Sequence, residues 1–416
     1  MFENIIGHQE TIGILRAELA HNELPRASLF FGPAYAGKLS TALEAARVLT
    51  CQEGHAAWSC ECRSCSLQKE LAHPHTVLIG SRYFDVEIAA SAGALLRSRR
   101  PVTQYLFLRA VRKLTRRFDA AVADPDDVRM KGAPEKVSRV EELLAQVEPG
   151  QELPDEQALG ELLEKLVAAC VQLAGHLRGD GIAVGQVRRL AAWAHLTASG
   201  SRKVAIIENV DRMQDSARNA LLKLLEEPPA AVSLILLSAR RGAIIPTIVS
   251  RLRPYSFRQR NAQEEREVME KIFREETPSA ESLRGFFLAW KEINPEKLSV
   301  LSRRYLELVT TEESAGVDIL AEMTDLFPDR RGREPNARST AQRSPKEAIG
   351  SFLEELTFRF HERLRAGGTP VETLEEWTDA VKEALARIET YNMSPQTALE
   401  SLFYRMRGAA RLGDES

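Results

Sequence analysis

Residues 27–39 read ASLFFGPAYAGKL. The apolar run from Ala27 to Phe31 ends in glycine. The stretch from Lys38 to Thr50 then puts Leu39, Leu43, Ala46 and Leu49 or Thr50 on related faces of a helix. Strand, glycine loop, helix is the local order of a phosphate-binding loop. Within GPAYAGKL, residues 32–39, the pattern of glycine, four residues, glycine and lysine is met by Gly32, Gly37 and Lys38. The glycines let backbone N–H groups turn toward phosphate oxygens, and the helix start adds partial positive charge. Lys38 is placed to reach the terminal phosphates. The next position should offer a hydroxyl to Mg²⁺, but it is Leu39, which cannot ligate a metal. Ser40 follows about 100° further round the helix. The loop predicts phosphate-loop ancestry and argues against competent hydrolysis, so ATP with Mg²⁺ is a candidate ligand that Leu39 disfavours.

A second apolar strand, in KVAIIENVDRM at residues 203–213, ends where a phosphate-loop protein places two acids. The first holds the metal and the second orients water. Here the pair is Glu208 and Asn209. Glu208 can ligate a metal, but Asn209 cannot act as a base; the bland reading of Glu208 is a strand-end carboxylate in a solvated network. A third apolar strand runs from Val232 to Leu237. Buried strands alternating with helices predict a parallel sheet covered on both faces.

Beyond about Arg258 the strand signals stop and helical patterns follow, among them Glu264–Glu275, Ser282–Ile293, Ile349–Ala366, Leu374–Thr390 and Ser394–Ala410. The expected layout is an α/β front half and an all-helical back half. Residues from about 84 to 178 read as a helical insert, and about 328–345, polar and without periodicity, as a mobile loop. The chain has 416 residues, a net charge of -3 and no run of about 18 apolar residues. That argues against a membrane span, and any DNA contact must come from a local patch or from partners. The opening MFENIIGHQE lacks the basic-then-apolar order of a secretory signal.

Four of the five cysteines cluster. Eight residues separate Cys51 from Cys60, one separates Cys60 from Cys62, and two separate Cys62 from Cys65. Four thiolates make a closed tetrahedral Zn²⁺ site of structural type, with His55 and His73 as substitutes. Cys170, in LVAAC, reads as a buried core thiol. In YLFLRAVRKLTRR, residues 105–117, Arg109, Arg112, Lys113, Arg116 and Arg117 fall within three turns. They form either a helix that touches DNA phosphates or, as charge runs usually do, a solvated face paired with the acidic stretch after Glu141.

Three phrases together resemble the clamp-loader branch of the AAA+ ATPases of bacterial DNA polymerase III. They are FENIIGHQETIGILRAEL followed by LPRASLFFGP, then SARNALLKLLEEPP at 216–229, then IIPTIVSRL at 244–252, where Leu252 replaces the family's cysteine. The resemblance is strong over about 1–83 and 180–258 and loose elsewhere. It implies an AAA+ α/β domain over 1–258, a helical lid over 259–301 and an all-α collar for oligomerisation over 302–416. It also implies a four-cysteine zinc module over 51–65, here with a tighter second gap than usual, and a phosphate-sensing hydroxyl at Ser238. Arg251 takes the place of the family's arginine that reaches the nucleotide of a neighbouring subunit. Damaged nucleotide motifs beside an intact Arg251 are similar to the family's delta-prime type, with the ATP-hydrolysing gamma/tau type as the alternative and a stand-alone DNA-binding protein as a third. Implied partners are ATPase subunits and a clamp-opening subunit in a hetero-oligomeric ring, the sliding clamp, and primed DNA through the complex, all in the cytoplasm.

Overall fold

The structure is a computed structural model and describes residues 1–54, 56–80, 82, 84–124, 126–177, 181–196, 202–276, 280, 282–290, 295–310, 345–367, 369–389 and 393–414. The chain divides into two compact units, Met1–Phe287 and Leu288–Ser416.

The first unit is built on five parallel strands: β1 (Ala27–Phe31), β2 (Thr76–Ile79), β3 (Lys203–Ile207), β4 (Val232–Ser238) and β5 (Arg253–Ser256). Their order is β2-β3-β4-β1-β5, with Leu29 opposite Leu236 and Ala205 opposite Leu234. β2, β3 and β4 are buried along their whole length, as strands with both faces covered must be. Two strands escape the sequence reading. β2 has only four residues, and β5 reads RPYS, mostly polar with an internal proline. Pro254 is tolerated because β5 lies at the sheet edge, where a missing N–H interrupts no ladder on the open side.

Helices α1 (Gln9–Ala20), α2 (Lys38–Thr50) and α3 (Arg63–Lys69) precede β2. One apolar core joins Leu15, Leu43 and Leu78 to Ile206, Ile235 and Phe257, and another joins Leu29 and Ile207 to Leu221 and Leu236. Between β2 and β3 stand α4 (Asp85–Ser98), α5 (Pro101–Thr115), α6 (Ala133–Leu144), α7 (Glu156–Ala174) and α8 (Val184–His195). The first four of these share a separate core in which Phe107, Val111, Leu144, Leu166 and Cys170 are buried. α9 (Asp215–Glu226) joins β3 to β4, α10 (Pro246–Val249) leads to β5, and α11 (Ala262–Lys271) follows. A reciprocal cap starts α11: Asn261 accepts the Glu264 N–H while Glu264 accepts the Asn261 N–H.

The second unit is helical among its described residues, with helices Pro295–Thr310, Pro345–Ala366, Val371–Glu389 and Pro395–Asp414. Its core centres on Trp377, which is fully buried and donates from Nε1 to the Met406 carbonyl at 2.8 Å. Such a partner is what a buried indole requires. The polar stretch read as a mobile loop, about 328–345, lies almost wholly outside the described residues. No described helix is long and apolar enough to cross a membrane. The architecture is a parallel α/β fold followed by a C-terminal region that is all helical among its described residues.

Candidate functional site

Parallel α/β sheets gather ligands at the carboxyl ends of their strands. The segments singled out in the sequence meet at that edge: the loop after β1, Glu208 after β3 and Ser238 at the end of β4. Gly32 has φ 150° and donates its N–H to the Ser238 carbonyl at 3.3 Å. A Cβ at Gly32 would lie 2.0 Å from the Phe257 carbonyl oxygen, so only glycine lets the loop leave the sheet here. Gly37, at φ 87°, precedes α2, and a Cβ there would sit 2.5 Å from Nη2 of Arg260.

Lys38 turns back on its own loop. Its Nζ donates to the Gly32 carbonyl at 2.5 Å and to that of Pro33 at 2.6 Å. Burial lowers its pKa to about 8, against the opposing pull of Glu208 and Asp211. Leu39 is buried in the core against α1 and the sheet, while Ser40 is exposed. Arg260 covers the loop from the side. Its guanidinium donates to the Tyr35 carbonyl and, at 3.2 Å, to that of Ile6.

Glu208 corrects the bland sequence reading. It is 8% exposed rather than solvated, and it forms an ion pair with Arg117, itself only 2% exposed. Arg82 approaches its other oxygen at 3.7 Å. Arg117 also donates to the Ile79 carbonyl at 2.6 Å and to that of Lys113 at 3.1 Å. The carboxylate at the metal position is thus held by two guanidinium groups of its own chain. Asn209 adopts the left-handed conformation, φ 55°, which asparagine tolerates better than most residues. Ser238, also buried, places its hydroxyl 2.8 Å from Oδ1 of Asp211 and accepts the Arg240 N–H at 3.2 Å.

Sequence reading missed Arg82, Arg117, Asp211 and Arg260 as neighbours of the loop. Asp211 carried a signal, an acid three positions after Glu208 on the same turn. Arg117 was visible only as part of the basic stretch. That stretch is not a solvated face. Arg109 donates to the Gln68 and Lys69 carbonyls, Arg112 to Glu70, and Arg116 to His73 and Thr76, all between 2.8 and 3.1 Å. Lys113 pairs with Glu87, while Arg112 pairs with Glu148 and lies 3.5 Å from Glu141. Pairing with the acidic segment holds for Arg112 alone; the other four bases turn inward. Burial alone would raise Glu87, but Lys113 and Arg82 beside it hold its pKa down to about 2. α5 and the turn that follows it, Arg116–Phe118, therefore brace α3, β2 and the Glu208 carboxylate.

Arg251 follows α10 on the surface. It donates to the Thr247 carbonyl at 2.7 Å and to Oε1 of Glu226 at 2.9 Å. The pair links the VSR segment to the LEEPP segment at the end of α9. The neighbouring Leu252 is buried in the core beneath the sheet, which accounts for an apolar residue at that position.

Cys51, Cys60, Cys62 and Cys65 come together with their sulfur atoms within 4.8 Å of one another. Cys51 ends α2, and Cys62 caps α3, its sulfur accepting the Cys65 N–H at 3.4 Å. The Cys51 and Cys60 sulfurs are 3.9 Å apart. A tetrahedron with metal–sulfur bonds of about 2.3 Å has edges of about 3.8 Å, so the donor set fits a metal ion. Burial raises the Cys62 thiol, but the Cys65 and Gln52 N–H groups aimed at its sulfur outweigh that and bring it down to about 6. His73 is not a substitute ligand, because its Nδ1 accepts the His75 N–H and its Nε2 faces the Ser64 hydroxyl at 3.0 Å. His55 lies outside the described residues.

Comparison with known proteins places this geometry in context. The family described as "DNA polymerase III, delta subunit" matches residues 7–119 and 154–261, more than half of the chain, and leaves 120–153 unmatched. A stretch of 71 residues is 45% identical to DNA polymerase III subunit delta' of Pseudomonas aeruginosa. It covers 17% of this chain and 22% of that relative's length. A solved gamma subunit-related protein of DNA polymerase III from Thermotoga maritima is 19% identical, with 60% of this chain and 91% of that chain covered and a TM-score of 0.27.

Proposed function

The chain belongs to the DNA polymerase III delta-subunit family, and from that membership we propose that it is a delta-prime-like clamp-loader subunit. In this role it completes a hetero-oligomeric ring with ATPase subunits and a clamp-opening subunit, in the cytoplasm, and helps place the sliding clamp on primed DNA. The observation that carries the reading is the contrast between two sites. The chain's own phosphate loop is disarmed: Leu39 offers no hydroxyl, Asn209 offers no base, and Glu208 is paired with Arg117. Arg251 is intact at the surface and, among the described residues, is tied to its own loop and to Glu226.

On this reading Arg251 turns outward to the nucleotide of a neighbouring subunit, where a guanidinium pairs with several phosphate oxygens at once. Leaving Glu226 costs about 1 kcal/mol or less, since exposed ion pairs contribute little. Gly32, Gly37, Lys38, Ser40, Glu208 and Ser238 remain as the outline of a nucleotide site that binds weakly or not at all. Cys51, Cys60, Cys62 and Cys65 hold a structural Zn²⁺, which when bound ties the end of α2 to the start of α3. The three-part division into an α/β domain over 1–258, a lid over 259–301 and a collar over 302–416 accompanies the reading.

A gamma/tau-type motor requires magnesium coordination that Leu39 and the Glu208 pairing both oppose. A stand-alone DNA-binding protein requires free bases on α5, and those bases hold internal partners. The test is Mg·ATP turnover by the purified chain, alone and mixed with clamp-loader ATPase subunits. No turnover alone, and stimulated turnover and clamp loading in the mixture, are expected. Sustained hydrolysis by the isolated chain would make it a motor subunit instead.

A further inference from the structure

Arg47 lies one turn before Cys51 on α2, so the two share a helix face. It is 1% exposed. Its five N–H donors are all used. Nε and Nη2 form a fork with Glu44 at 2.9 and 2.6 Å, Nη2 also donates to the Ala56 carbonyl at 2.7 Å, and Nη1 donates to the Ala57 carbonyl at 3.1 Å and to the Cys65 sulfur at 3.2 Å. The fork with Glu44 balances the guanidinium charge but takes only two of its five donors. The other three bonds go to the loop between Cys51 and Cys60 and to a sulfur of the cysteine cluster. The guanidinium also lies 5.5 Å from the centroid of the Trp58 ring in the same loop.

Four thiolates around a divalent ion leave a net double negative charge. Here it would be enclosed on one side, since Cys60 and Cys65 are 4% and 0% exposed while Cys51 and Cys62 are half-buried. Burying such charge is costly unless a donor of opposite sign meets it. Groups that donate to ligand atoms from just outside a metal's coordination shell set ligand orientation and affinity.

We propose that Arg47 is a positioning residue of the metal site. Its Nη1–H bond to Cys65 offsets charge on the loaded cluster, and its bonds to the Ala56 and Ala57 carbonyls hold the Cys51–Cys60 loop closed and slow loss of the ion. The inference rests on the reading of the four cysteines as a Zn²⁺ site.

The test uses the full chain, purified reduced and loaded with one equivalent of Zn²⁺ or, as a spectroscopic probe, Co²⁺. Zinc release to an excess of a chromophoric chelator is timed, and the sulfur-to-cobalt charge-transfer band is recorded, for the unmodified chain, Arg47→Met and Arg47→Lys. Release about 10-fold or more faster in Arg47→Met is expected, with the band moved to lower energy because the sulfur has lost its donor. Arg47→Lys, which keeps the charge without the fork, should fall between. It also serves as the milder variant if Arg47→Met does not fold. Unchanged release and an unmoved band in a folded variant would overturn the proposal, as would a lower melting temperature with an unmoved band, which marks packing alone. An unmodified chain that takes up neither metal would overturn the zinc reading itself, a result distinct from normal loading with no effect of Arg47.

Discussion

Substituting Arg251 by alanine is expected to cut ATP turnover in the reconstituted ring by about 10³-fold or more at the neighbouring site, the range in which such arginines act. The chain's own stability should change by less than about 1 kcal/mol, because the bridge to Glu226 is exposed on both sides. Arg251→Lys should recover only part of the rate, since an ammonium cannot reproduce the planar fork. Glu226→Gln, which releases Arg251 from its resting partner, should leave turnover intact. Steady-state hydrolysis with a fixed set of partner subunits makes the comparison. Turnover within twofold of the unmodified ring in Arg251→Ala would remove the trans-acting role.

Arg117→Met should have the largest effect on folding. Arg117 is the close partner of a buried carboxylate, and its removal leaves Glu208 with Arg82 at 3.7 Å. Breaking a buried pair from one side typically costs about 3–5 kcal/mol, because the remaining charge is stranded. For a unit of this size, at about 2 °C per kcal/mol, the melting temperature should fall by roughly 6–10 °C. Adding Glu208→Gln to the same chain should restore at least half of the loss, since the stranded charge is then gone. Thermal unfolding of the two single variants and the double variant closes the cycle. Simple additivity would mean that the two side chains do not act as a pair.

Much of this arrangement was legible in order of sequence locality. The phosphate loop and the cysteine cluster are short-range patterns, and both Leu39 and Asn209 declared themselves by side-chain chemistry alone. β2 and β5 were hidden because four residues, or a proline among polar neighbours, give no periodicity to read. The fate of the basic stretch was hidden for a different reason. Its partners are mainly backbone carbonyls about 40 residues earlier, together with Glu208, which is 91 residues later. Carbonyls have no sequence signature, and a charge run looks the same whether it faces water or a set of helix ends. Glu208 read as solvated for the same reason: the residue that buries it arrives from another helix. The contact of Arg251 with Glu226 joins two phrases recognisable separately, but only the fold shows that they touch.

The Arg117–Glu208 pair also bears on how such a chain can change over generations. Restoring a hydroxyl by Leu39→Thr does not by itself rebuild a magnesium site, because the carboxylate that would share the ion is already committed to a guanidinium. Freeing that carboxylate first exposes the fold to the penalty of a stranded charge, with no activity yet to select for it. Each single step back is neutral or harmful, and only several together are useful. On the delta-prime reading, the pairing works as a ratchet: once present, it keeps a silent nucleotide site silent unless several changes occur together.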